Sequence, residues 1–93
     1  KILIADDNPM NQQLMSKYMS KLGWECLIVE NGLLAAEACR NTTFDVILMD
    51  IDMPVLDGIE ATRFIRVFNS EIPIVALTAY ADDQMGPNAP NRE

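Results

Sequence analysis

Apolar positions along the chain fall into two kinds of run. Ile2 to Ala5, Trp24 to Val29, Phe44 to Met49 and Ile74 to Thr78 are short and dense, broken only by Glu25, Asp45 and the closing threonine, and they predict four strands. Between them the spacing turns helical. Met10, Leu14, Met15, Tyr18, Met19 and Leu22 mark a first helix, Leu33 to Arg40 a second, and Ile59, Thr62, Phe64, Ile65 and Phe68 a third. Asn8-Pro9 offers an N-cap and a proline at a first helical position, and Gly23 stands where a C-terminal cap belongs. The resulting order, β-α-β-α-β-α-β, implies a parallel sheet with helices on both faces. Phe44 to Met49 reads as a strand buried on both faces, and Met10, Met15 and Met19 as core-facing helix residues. Met53 to Gly58 is loop, with turn and cap chemistry at Asp57-Gly58. Asp82-Asp83 reads as an acidic helix start, and 86–93, rich in proline and asparagine, as an irregular tail.

Charge and composition narrow the function. Fourteen acidic against seven basic residues leave a net charge of -7, with no basic cluster, so neither nucleic acid nor an anionic membrane is an expected partner. No apolar run approaches the length of a membrane span, and membrane insertion is not expected. Cys26 and Cys39 form no CxxC, and the chain has no histidine, which removes the usual zinc sites and fits a cytoplasmic protein. The chain opens on a strand without a methionine, and we expect it to be part of something longer.

Chemistry gathers where strands end. In an open parallel sheet, ligands bind beyond the carboxyl ends of the strands, where connections diverge to opposite faces. Asp6 and Asp7 follow the first strand, Asp50 ends the third, and Thr78 ends the fourth. Carboxylates brought that close repel one another, so at neutral pH either a pKa rises or a cation enters the site, and a hard divalent cation is the simplest answer. Mg²⁺ suits the set, because it takes one or two carboxylates, waters and a phosphate oxygen. A carboxylate beside such a metal can attack phosphorus and form an acyl phosphate, and Asp50 is the best placed. The Thr78 hydroxyl is then available to a phosphoryl oxygen. Taken singly, Asp6 or Asp7 reads as readily as a helix cap, and Thr78 as an ordinary strand-end hydroxyl. Their shared location is what points to chemistry.

Three segments resemble the response-regulator receiver domain of two-component signalling: Ile-Leu-Ile-Ala-Asp-Asp-Asn at 2–8, Asp-Val-Ile-Leu-Met-Asp-Ile-Asp-Met-Pro-Val-Leu-Asp-Gly at 45–58, and Pro-Ile-Val-Ala-Leu-Thr-Ala at 73–79. Asp-Asn-Pro-Met-Asn-Gln at 7–12 further resembles receivers of hybrid histidine kinases. The resemblance implies a flavodoxin-like doubly wound sheet of strand order 2-1-3-4. It makes Asp50 the phosphoacceptor, Asp7 a direct Mg²⁺ ligand, Asp6 a ligand mainly through water, the Asp52 carbonyl a further ligand, and Thr78 the switch hydroxyl. Asp52 and Tyr80 occupy positions whose side chains tune phosphoryl lifetime. The implied partner is a histidine kinase or histidine phosphotransfer domain in a phosphorelay, and such domains promote their own phosphorylation without being conventional turnover enzymes.

The chain departs from that pattern after Tyr80. The fifth strand, its Lys-Pro and the last helix have no counterpart, so residues 1–85 read as an incomplete receiver; every lysine, Lys1, Lys17 and Lys21, precedes the second strand. The fourth strand becomes an apolar edge open to self-association. Two other functions compete: a degenerate pseudo-receiver that only binds, and a haloacid-dehalogenase-like phosphatase fragment, since Asp50-Ile51-Asp52 also resembles that family's nucleophile motif.

Overall fold

Among the described residues, four parallel strands in the order β2-β1-β3-β4 form the sheet, with three helices as crossovers. The elements are β1 (Ile2–Ala5), α1 (Pro9–Leu22), β2 (Cys26–Val29), α2 (Gly32–Asn41), β3 (Val46–Asp50), α3 (Gly58–Phe68) and β4 (Ile74–Leu77). This is a computed structural model that describes residues 1–77; Thr78, Tyr80, Asp82, Asp83 and the 86–93 tail lie outside the described residues. The expected parallel sheet and strand order are both present.

β1 is the centre of the sheet and is buried along its whole length. Its alternating side chains supply two cores. Leu3 and Ala5 join Ile47 and Met49 of β3, Ala35 and Ala36 of α2, and Ala61 and Ile65 of α3. Ile2 and Ile4 point to the other face and meet Met19 of α1. Small residues on α2 and α3 let both helices lie close to one another and to the sheet.

The helix termini follow the local sequence. Asn8 caps α1, its side-chain oxygen accepting from the N–H groups of Met10 and Asn11 at 2.8 and 3.3 Å, with Pro9 in the first turn. Gly23 ends the helix at φ 74°, left-handed backbone that glycine adopts without steric cost. Asp57 caps α3 by accepting from Glu60 N–H at 2.9 Å.

Three expectations need correction. Met10 is 78% exposed, and only Met19 of the three helix methionines is buried, with Met15 half-covered. α1 turns Met10, Leu14, Tyr18 and Leu22 outward as a stripe at four-residue spacing, while Met15 and Met19 face the sheet. β3 is closed on one face only: Ile47 and Met49 are buried, but Val46, Leu48 and Asp50 are intermediate. Among the described helices, α2 and α3 cover one face, whereas α1 lies on the other. The second strand is also shorter than its apolar run, because Trp24 belongs to the turn after α1, its N–H donating to Met19 O at 2.9 Å.

Gly32 is where α2 meets the β3–α3 connection: its N–H donates to Leu56 O at 2.9 Å, and a Cβ there would collide with that same carbonyl. Gly32→Ala is expected to destabilise the fold by about 1–3 kcal/mol in chemical denaturation. Leu33→Ala, at a half-exposed neighbour, should cost clearly less; equal losses would show that the close approach does not matter.

Candidate functional site

The register of β1 on β3 assembles the site. Ala5 pairs with Met49, so the next residues, Asp6 and Asp50, emerge side by side at the carboxyl end of the sheet. The chain leaves β1 through α1 toward one face and β3 through α3 toward the other, and the gap between the two is the crevice of an open α/β sheet. Asp7 completes the group. One carboxylate oxygen from each of Asp6, Asp7 and Asp50 lies within 4.8 Å of the others.

The three carboxylates are held differently. Asp6 is 4% exposed, and the fold satisfies it from α1: Oδ1 accepts from Asn8 N–H at 2.9 Å, and Oδ2 from Asn11 Nδ2 at 3.2 Å. Gln12 Nε2 donates to its backbone carbonyl at 2.6 Å, and its own N–H donates to Val29 O at 3.0 Å. Asp7 is exposed and Asp50 half-buried. Asp50 Oδ1 accepts from Asp52 N–H at 3.1 Å, which aims the carboxylate along the loop that follows. Burial raises the Asp50 pKa above the ordinary carboxylate value; the Asp52 N–H opposes that shift, and the charges of Asp6, Asp7 and Asp52 add to it.

Among the described residues, none of the ion pairs involves these carboxylates. Three oxygen donors from two adjacent strand ends, with no nitrogen or sulfur donor among them, fit a hard divalent cation of the Mg²⁺ type. The expected residues Asp6, Asp7 and Asp50 are thus brought together. The Asp52 carboxylate is exposed and stays outside the cluster, and Thr78 lies outside the described residues, one position beyond Leu77, which pairs with Asp50.

Two glycine contacts and one strained turn shape the loop after Asp50. Gly58 N–H donates to Ile51 O at 2.9 Å, folding 51–58 back onto the strand end, and a Cβ at Gly58 would strike Asp50 O. Leu56 N–H donates to Pro54 O at 2.7 Å, closing a three-residue turn around Val55, whose φ is 68°. That is the rarer and more strained form of γ-turn. A β-branched residue in left-handed backbone is an outlier, with a cost on the order of 1–3 kcal/mol.

Sequence reasoning missed Asn11 and Gln12 as supports of Asp6, Gly58 as the close approach to Asp50, and the strain at Val55. Asn11 and Gln12 stood five and six residues beyond Asp6, within the first turn of a capped helix, where polar side chains can reach back to the preceding strand end. No such signal marked Val55.

A profile of the response regulator receiver domain matches residues 2–91. Sensor protein GacS of Pseudomonas syringae pv. syringae is 42% identical over 86 residues, covering 87% of this chain but 10% of its own length, so the chain spans about a tenth of that relative. Among solved structures, the receiver domain of sensor histidine kinase PA1611 from Pseudomonas aeruginosa PAO1 superimposes with a TM-score of 0.83 at 41% identity, over 86% of this chain and 67% of that one; it has a magnesium ion coordinated in its active-site cleft. A complex of histidine kinase ThkA with response regulator protein TrrA matches at a TM-score of 0.78 and 33% identity, over 85% of this chain and 68% of that one.

The raised Asp50 pKa fixes the sign of a stability test. Its protonated form is favoured in the fold, so Asp50 contributes stability that is fully present below its ordinary value of 3.8 and is lost as pH rises through the raised one. Asp50→Asn should therefore raise the metal-free Tm, by a margin that widens from pH 4 to pH 7. MgCl₂ at a hundred times its Kd should stabilise the parent by about 2.7 kcal/mol, and Asp7→Ala should abolish that gain. A pH-independent margin, or an unmoved Tm with Mg²⁺, would count against the site.

Proposed function

The chain belongs to the response regulator receiver domain family, and from that premise we propose that it takes a phosphoryl group from a histidine kinase or histidine phosphotransfer protein onto Asp50 in a Mg²⁺-dependent reaction. The observation that carries this reading is the convergence of Asp6, Asp7 and Asp50 at the carboxyl end of the two central strands.

Each carboxylate has a distinct part. Asp7, exposed, would be the direct metal ligand; Asp6, tied down by Asn8 and Asn11, would act through water on the metal; and the Asp52 carbonyl would complete the protein ligands. Mg²⁺ supplies charge to offset the carboxylates and to orient a phosphoryl oxygen. The Asp50 carboxylate attacks phosphorus, an O–P bond forms, the P–N bond to the imidazole breaks, and the released imidazole keeps its electron pair and takes up a proton. Asp52 N–H holds the other approach of the carboxylate in place. The Thr78 hydroxyl serves the product as the switch group, and Tyr80 and Asp52 set its lifetime.

Cytoplasmic location is part of the same reading, supported by two free cysteines; no helix among the described residues is long and apolar enough to cross a membrane. So is self-association through β4. In the described sheet β4 pairs only with β3, and it presents Val75 half-exposed beside that edge. Sedimentation should show a concentration-dependent dimer that Val75→Lys weakens. A strictly monomeric parent at high concentration would remove this part of the proposal.

Incubation with Mg²⁺ and acetyl phosphate tests the central claim. A single acid-stable, hydroxylamine-labile phosphoryl group per chain is expected, absent from Asp50→Asn. Repeated turnover would instead support a phosphatase of the haloacid dehalogenase type, and no modification a receiver kept only for binding.

A further inference from the structure

Asp6 is the most constrained of the three carboxylates, and the constraint comes from the start of α1. It is buried, Oδ1 accepts from Asn8 N–H at 2.9 Å, and Oδ2 accepts from Asn11 Nδ2 at 3.2 Å. The two holds differ in kind. Asn8 N–H belongs to the backbone, and any residue type but proline would offer it there. Asn11 Nδ2 is a side-chain donor, and among the described residues it is the only hydrogen-bond partner of Oδ2. The Asn11 side chain has no other visible task. It is exposed, it lies outside both cores, and the helix cap is closed without it, by Asn8 Oδ1 accepting from the N–H groups of Met10 and Asn11.

The chemistry of that donor decides what it does to the site. A neutral amide holds a carboxylate without cancelling its charge, whereas a lysine in its place would offset one of the charges that attract a cation. Asp7 is exposed, and Asp50 accepts from Asp52 N–H through one oxygen only. Asp6 is therefore the carboxylate that cannot swing toward an ion without breaking bonds inside the protein. Direct protein ligation is left to Asp7, Asp50 and the Asp52 carbonyl, with the other positions open to water and a phosphoryl oxygen. Mg²⁺ suits so sparse a set, because it holds octahedral geometry and keeps several waters. Ca²⁺ takes about six to eight oxygens in flexible geometry and draws in further carboxylate oxygens where they can move.

We propose that Asn11 is a positioning residue that sets metal specificity: by holding Asp6 Oδ2 it keeps Asp6 one water away from the ion and so favours Mg²⁺ over Ca²⁺. The proposal rests on the reading of Asp6, Asp7 and Asp50 as a metal centre, and adds which side chain selects the ion. Asn11 touches no metal; it acts through Asp6. Partners of this kind orient a ligand, and their loss changes metal affinity by roughly 10–100-fold. The loss is unequal for the two ions. Mg²⁺ loses an aligned carboxylate for its waters, while Ca²⁺ gains an oxygen that has been released to reach it.

Isothermal titration with MgCl₂ and with CaCl₂ at pH 7, without any phosphodonor, gives the ratio of the two Kd values for each variant. The parent is expected to bind Mg²⁺ more tightly than Ca²⁺. Asn11→Leu and Asn11→Ala both remove the donor and both suit a helix better than asparagine, so if one fails to fold the other decides. Each should move the ratio toward Ca²⁺ by roughly tenfold, with Mg²⁺ binding weakened and Ca²⁺ binding kept or improved. Asn11→Lys keeps a donor but offsets the Asp6 charge, and should weaken both ions in parallel. Gln12→Leu releases only the Asp6 carbonyl and tests for loosened packing of α1. A ratio that moves as far in Gln12→Leu would assign the effect to the helix and overturn the proposal. So would a ratio unchanged in the folded donor-free variants, or a parent that binds Ca²⁺ as tightly as Mg²⁺; these outcomes leave the metal centre standing. A parent that binds neither ion would overturn the metal centre and this proposal with it.

Discussion

The mutual repulsion of carboxylates forced together by strand register is the constraint on which the acidic end of this domain depends. Parallel pairing of Ala5 with Met49 leaves Asp6 no choice but to emerge beside Asp50, and Asp7 follows by one residue. The register is in turn fixed by packing. A slip of one position would turn Leu3 and Ala5 out of the core they share with α2 and α3, and Ile2 and Ile4 off Met19. Hydrophobic burial thus sets the spacing of charges that would not approach one another by themselves.

Polar groups around the site divide the work of containing that repulsion. Asp6 is buried, yet both its carboxylate oxygens accept hydrogen bonds from the start of α1, and Gln12 pins its carbonyl, so its desolvation is largely compensated within the protein. Asp50 has a single N–H from Asp52 and is left with a raised pKa. Fixed and satisfied on one side, under-satisfied on the other, the cluster is suited to a cation, whose positive charge supplies what Asp50 lacks.

The loop after Asp50 carries the remaining cost. Gly58 allows it to return against Asp50 O, Gly32 allows α2 to grip it at Leu56, and between those clamps Val55 is bent into left-handed backbone. The same contacts that hold the loop beside Asp50 therefore project an apolar side chain outward from the acidic end of the sheet. The clamped loop and its exposed apolar side chain arise from one short connection.

The periodicity of the sequence determined the element order, the parallel sheet and the caps at Asn8, Gly23 and Asp57, because burial and capping act within a few residues of chain. It also placed Asp6, Asp7 and Asp50 at strand ends, since an apolar run that stops on an acid can be read locally. Which side of α1 faces the sheet was decided only in three dimensions: Met10, Leu14, Tyr18 and Leu22 are as apolar as Met15 and Met19, and composition cannot say which stripe finds a partner. The one-sided burial of β3 likewise depends on which helices lie on each face. The approach of Gly58 to Asp50, the clamp from Gly32 and the positive φ of Val55 are products of chain closure between segments distant in sequence, and valine gives no local sign that it will be held where glycine would be easier. Sequence named Asp50 as the candidate acceptor; tertiary structure decided how it is charged, held and presented.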